Sequence, residues 1–240
     1  MSLALVEGRA RLTLERRDLG PSVSGRIEVE WPKVTALPEG EGQGEGEGQS
    51  RGKNNVNGLR NRRGWLRAAS LFVGGARLEQ RTAGATLPAG GISKLDLTLE
   101  KGRIVLAGRV EAGGRGADFT ARVAIGPGSG PRLRIGLEDV RIHGTPPLPV
   151  AAIAASALAV LRGMRDDRIT AIDAGFEVDL LTPTLDELLV AEGWRLPDSA
   201  GLRLATVVVS AKGVELSWLA DSVEPPREPL APVEEIEAPP

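Results

Sequence analysis

The sequence predicts an α+β fold: a set of antiparallel strands with one strongly apolar helix and a short second helix. Three observations carry that expectation. Apolar and charged residues alternate with period two along much of the chain, short Gly-rich connections separate the alternating stretches, and one aliphatic run repeats at helical spacing.

The alternation starts early. Leu12 and Leu14 alternate with Arg11, Thr13 and Glu15, and Ile27, Val29 and Trp31 alternate with Arg26, Glu28 and Glu30. Between these strands, Asp18-Leu-Gly-Pro-Ser22 supplies turn chemistry, so a hairpin is expected. Pro38 to Gly58 breaks the pattern with Gly alternating with Glu and Gln, followed by Asn-rich sequence. Such a stretch cannot bury enough apolar surface to offset its ordering entropy, and a disordered insert is expected over 38–58. The stretch from Arg51 to Arg67 then carries six basic residues and no acid: Arg51, Lys53, Arg60, Arg62, Arg63 and Arg67. It reads either as a phosphate or headgroup patch or as a solvated loop balanced by the preceding Glu residues.

A meander follows. Leu95, Leu97 and Leu99 lead through a Lys101-Gly102 turn to Ile104, Leu106, Gly108 and Val110. Phe119, Ala121, Val123 and Ile125 come next, and the Gly126–Pro131 loop leads to Leu133, Ile135 and Leu137. Phase slips at Glu138-Asp139, where Val140 and Ile142 take over, which predicts a bulge or bend. The connections are too short for helical crossovers, so the strands are antiparallel, with one aliphatic and one charged face.

After Thr145-Pro-Pro-Leu-Pro149, the run Val150 to Met164 reads as a helix, with Pro149 suited to its first turn. Val150, Ile153, Ala157, Leu158 and Leu161 form its stripe, and alanines keep the opposite face apolar. Phe176, Val178 and Leu180 read as a strand. A short helix is expected over 182–193, with Thr184 and Glu187 as a capping box and Gly193 at the C′ position. Leu202 to Val209 and Val214 to Trp218 read as a final hairpin across Lys212-Gly213. From Asp221 the chain is rich in Pro and Glu. The expected organisation is one domain over 1–220 and a disordered acidic tail over 221–240.

Composition narrows the function classes. Net charge is -2, which favours neither a nucleic-acid nor an anionic-surface binder, and the absence of Cys removes thiolate chemistry and Cys-type zinc sites. There is no Tyr, three Phe and four Trp, too few aromatics for a base-stacking platform. The longest apolar run, Leu148 to Leu161, is shorter than the roughly 20 residues a bilayer span needs. Charges at Glu7, Arg9 and Arg11 interrupt any signal-peptide core, so a cytoplasmic location is expected, with cell-envelope association as the alternative.

Catalytic candidates are scarce. His143 is the only His, and no partner for it is visible in the sequence. Ser129 lacks a nucleophile-elbow context, and Asp166, Asp167 and Asp173 lack the spacing of a calcium loop. A non-enzymatic role without metal or cofactor is expected.

The order of elements from Ile92 to Leu161 carries a resemblance. The strand Lys101-Gly-Arg-Ile-Val-Leu-Ala-Gly-Arg-Val110 is followed by Ala117-Asp-Phe-Thr-Ala-Arg-Val123. Pro131-Arg-Leu-Arg-Ile-Gly-Leu-Glu-Asp-Val140 and a Pro-rich step into an aliphatic helix come next. This stretch resembles the bacterial LmeA-like (DUF2993) phospholipid-binding proteins, relatives of the tubular lipid-binding, or TULIP, proteins. The resemblance implies a strongly curved antiparallel sheet wrapped around one long apolar helix, and a groove that binds or transfers lipid. On the sheet, the groove would use Leu97, Leu99, Ile104, Leu106, Phe119, Val123, Ile125, Leu133 and Ile135. On the helix, it would use Val150, Ile153, Leu158 and Leu161. The expected partners are a lipid or other acyl-chain ligand and a membrane met transiently, with no nucleic acid. The alternative is a structural or protein-interaction domain with a closed core.

Overall fold

Nearly every alternating stretch becomes a strand, but the strands sort into two sheets. The computed structural model describes residues 1–6, 9–20, 22–31, 58–87, 92–100, 102–112, 115–143, 167–173 and 175–221. The first sheet has six strands. They are β1 (Ser2–Val6), β2 (Arg9–Gly20), β3 (Val23–Trp31), β4 (Trp65–Gly74), β12 (Leu202–Ser210) and β13 (Gly213–Ala220). Their order is β1-β2-β3-β4-β13-β12, so strands from the two ends of the described chain meet at the β4–β13 ladder.

The second sheet has seven strands. They are β5 (Ala85–Leu87), β6 (Ile92–Glu100), β7 (Arg103–Ala112), β8 (Arg115–Pro127), β9 (Leu133–His143), β10 (Ile169–Ile172) and β11 (Gly175–Val178). The order is β10-β11-β9-β8-β7-β6-β5, and every pairing is antiparallel. The expected meander is therefore its centre, and the expected β2–β3 and β12–β13 hairpins are present in the first sheet.

The sheets meet where β12 lies over β6, β7 and β8. The core there joins Leu202, Leu204, Leu216 and Trp218 of the first sheet to Leu99, Ile104 and Leu133 of the second. Two hydrogen bonds clamp the Gly126–Pro131 loop beneath the first sheet. Trp218 Nε1 donates to the Pro131 carbonyl (2.6 Å), and the Leu204 amide donates to the Gly130 carbonyl (3.0 Å). A buried Leu contributes roughly 1.5–3 kcal/mol over an exposed one, so this seam is a main source of stability.

Helix α1 (Gly75–Thr82) packs beside β6 and touches β4 and β13. Helix α2 (Leu181–Leu188) covers β2 and β3 with Leu181, Leu185 and Leu188. Gly25 makes room for it: a Cβ there would lie 3.1 Å from Leu188 Cδ1. After α2, a 3-10 turn (Val190–Glu192) ends on Gly193 at φ 78°. Trp194 then packs on Trp31 with ring centroids 5.9 Å apart, under the Arg60 guanidinium at 5.4 Å.

Three expectations are corrected. The first is the curved single sheet wrapped around one long apolar helix. The described residues form two sheets packed on one another, and helices α1 and α2 have eight residues each. Period-two alternation identifies strands but not their partners. Here β1–β4 and β12–β13 build a sheet of their own, whose apolar side takes the place assigned to the helix. The aliphatic segment Val150–Leu161, the insert at 38–57 and the tail from 222 lie outside the described residues.

The second correction concerns the basic stretch ending at Arg67. Its last residues enter β4, a central strand of the first sheet. The third concerns the α2 start. Thr184 does not form a capping box; its hydroxyl donates to the Leu180 carbonyl at 2.6 Å. The Asp179 carboxylate caps instead, accepting from the Leu181 and Thr182 amides at 3.0 and 3.1 Å.

Candidate functional site

The inner face of the seven-stranded sheet is one apolar surface divided in two by bulges. In β6 the register shifts between Ser93 and Asp96, and Lys94 adopts φ 51°. In β9 it shifts opposite Thr120 and Arg122, where Asp139 adopts φ 49°. This is the bend expected at Glu138-Asp139. Each bulge inserts one residue, so Ile92 and Leu95, three apart, share a face, as do Leu137 and Val140. The bulges sit near the same level of the sheet, where β7 and β8 pair Leu106 with Ala121 and Gly108 with Phe119.

On one side of the bend the face belongs to the inter-sheet core. Leu99, Ile104 and Leu133 are buried there, and Leu97, Val123, Ile125 and Ile135 pack against them. On the other side a separate cluster forms. Ile92, Leu95, Val110, Phe119 and Ala121 are buried in it, ringed by half-buried Ala85, Leu106, Leu137, Val140 and Ile142. Gly108 is a requirement of this cluster. A Cβ at 108 would stand 3.0 Å from the Phe119 ring and 3.0 Å from Leu95 Cδ2, so the ring lies across the bare backbone.

The nominated residues therefore divide. Leu97, Leu99, Ile104, Val123, Ile125, Leu133 and Ile135 serve the joint between the sheets. Leu106 and Phe119 belong to the second cluster. Val150, Ile153, Leu158 and Leu161 lie outside the described residues. Sequence reading missed Ile92 and Leu95 as partners of Phe119, because the Lys94 bulge hides the repeat. The phase slip at Glu138 did signal Val140 and Ile142.

The opposite face of this sheet is charged. Arg122 reaches Glu138 at 2.8 Å and Asp139 at 3.0 Å, and Arg109 reaches Asp118 at 3.1 Å. His143 sits in this polar setting, exposed, with Nε2 3.2 Å from the Thr120 hydroxyl and Asp118 across the ladder. On β11, Glu177 accepts from the Ser129 hydroxyl (2.5 Å) and amide (2.9 Å). The Ser129 hydroxyl above all holds its carboxyl below the usual range; burial opposes it, and the Ser129 amide and the charges of Arg132 and Arg134 add to the lowering. Among the described residues no group of three or more His, Asp or Glu is placed to hold a metal ion, and no helix is long and apolar enough to cross a membrane. Of the expected Asp group, Asp166 lies outside the described residues.

No protein-family model, no curated protein and no solved structure matches the chain. The second cluster and its half-buried rim are the chemistry that the geometry offers: aliphatic contact without directional polar groups.

Proposed function

We propose that the protein binds an apolar ligand of the acyl-chain class without transforming it, using the second cluster of the seven-stranded sheet. One observation carries this reading: ten apolar residues gather there outside the inter-sheet core, half of them only partly buried. The likeness of residues 92–161 in order and texture to LmeA-like phospholipid-binding proteins points to the same ligand class. Contact with an aliphatic rim would contribute about 0.8 kcal/mol per methylene removed from water, so chain length would govern affinity more than headgroup.

The test is titration with a fluorescent fatty acid, followed by competition with phospholipids of graded chain length. Saturable binding is expected. Val140→Thr, which nearly keeps shape and adds a hydroxyl, should weaken it, because an unpaired hydroxyl beside an acyl chain is costly to desolvate. Circular dichroism should remain unchanged. Wild-type protein without saturable binding to fatty acid or phospholipid would end this reading. It would leave a structural or protein-interaction domain, which the closed joint between the sheets favours.

A further inference from the structure

The outer face of the six-stranded sheet carries a concentration of positive charge around one buried acid. Glu30 lies on β3 between Ile27-Val29-Trp31 positions that face the core, so its side chain points outward. Its side chain is nevertheless 2% exposed, because three guanidinium groups close over it. Arg9 Nη1 stands 3.1 Å from Oε1, Arg67 Nη2 3.0 Å from Oε1, and Arg11 Nη2 3.3 Å from Oε2. Arg11 faces Glu30 directly across the β2–β3 ladder. Arg67 arrives by a bulge: Ala68 pairs with Glu28 and Leu66 with Val29, which leaves Arg67 as the extra residue. Bulges re-aim side chains, and this one sends Arg67 to the acid.

Among the described residues, three guanidinium groups on one carboxylate leave a formal surplus of two positive charges. The neighbouring Arg26 adds nothing to it, because Glu28 takes its charge at 2.7 Å. Each guanidinium has five N–H donors, and each spends one on Glu30 in the bonds described. The remaining donors belong to side chains 42%, 44% and 25% exposed. A buried acid with an open ring of arginines is an arrangement in which the acid orients cations for a second, external anion. Planar forks of this kind match phosphate oxygens.

We propose that Arg9, Arg11 and Arg67, oriented by Glu30, form a binding site for a phosphate-class oxyanion. That anion is either a free phosphate ester or the phosphomonoester headgroup of a lipid. The site lies on the other sheet from the apolar cluster and stands independently of the acyl-chain reading.

The test observes the Arg Nε–Hε resonances of the full chain while inorganic phosphate is added, with sodium chloride at matched ionic strength as reference. Saturable shifts at Arg9, Arg11 and Arg67 are expected with phosphate only. Arg11→Gln should weaken phosphate binding roughly tenfold, the loss of one charge-assisted hydrogen bond. Arg11→Lys, which keeps the charge and loses the fork, should also weaken it, and serves where the Gln variant fails to fold. Vesicles distinguish the sources. Co-sedimentation with phosphatidic acid but not phosphatidylcholine, competed by phosphate, assigns a headgroup. Saturable phosphate binding without co-sedimentation assigns a soluble ester. Shifts that are linear and equal in phosphate and chloride, or affinity unchanged in both Arg11 variants, would overturn the proposal.

Discussion

Glu30 keeps its charge against the opposing effect of burial. Burial pushes its carboxyl upward, and hydrogen bonds and charge from Arg67, with those from Arg9 and Arg11, outweigh it, so the group sits below the ordinary Glu range. Its folded value is depressed relative to the unfolded chain. The resulting stability is complete above the unfolded value of about 4.3 and is lost as pH falls through the lower folded value. Glu30→Gln should therefore flatten the stability–pH curve below about pH 4.3. At neutral pH it should cost about 1–3 kcal/mol, less than for a sealed ion pair because the arginines reach water. Urea unfolding of both proteins across pH 2–7 (roughly the range of carboxylate titration) measures this. Parallel curves would show that Glu30 does not contribute to acid stability.

At the scale of elements, the start of α2 separates two sequence signals that look alike. Asp179 caps the first turn, and the exposed Glu187 makes no reciprocal bond to Thr184. Asp179→Ala should lower stability by about 1 kcal/mol, whereas Glu187→Ala should change it by no more than a few tenths. Thermal melts of the two variants would decide it, and equal losses would restore the capping box. Strands were more legible than caps. Leu95-Leu97-Leu99 and Phe119-Ala121-Val123 announce their faces because a half-buried strand has no other way to divide water from core. The Glu138-Asp139 slip announced its bulge for the same reason. Strand β4 was hidden because Arg67 breaks its alternation at a bulge and follows a basic run. The division of the apolar face into joint and second cluster was hidden too. It depends on which strand crosses above Leu99, Ile104 and Leu133, and a repeat within one strand carries no record of its distant neighbours.

For the whole molecule, the β4–β13 ladder fastens the β12–β13 hairpin to the rest of the first sheet, and β12 carries the contact with the second. Gly213 shows how closely the strands meet: at φ 156°, a Cβ there would fall 2.2 Å from the Val73 carbonyl oxygen. Ending the chain after residue 200 would remove β12 and β13, and with them Trp218, Leu216, Leu204 and Leu202 from the joint. Such a chain should lose cooperative unfolding altogether, since several buried large side chains at roughly 1.5–3 kcal/mol each exceed the usual 5–15 kcal/mol margin when their partners are also exposed. Calorimetry checks this: a sharp transition in the shortened chain would show that the seven-stranded sheet stands alone.

The same ladder sets a timing problem during synthesis. One edge of Trp65–Gly74 has no strand to pair with until Gly213–Ala220 has left the ribosome. At about 5–20 residues per second, the roughly 140 residues between Gly74 and Gly213 take about 7–28 s to add. For that interval a strand containing Leu66, Leu71, Phe72 and Val73 offers unpaired amides and carbonyls to any neighbouring nascent chain. Slower translation of residues 75–212 should therefore increase aggregation of new chains while leaving the finished protein unchanged.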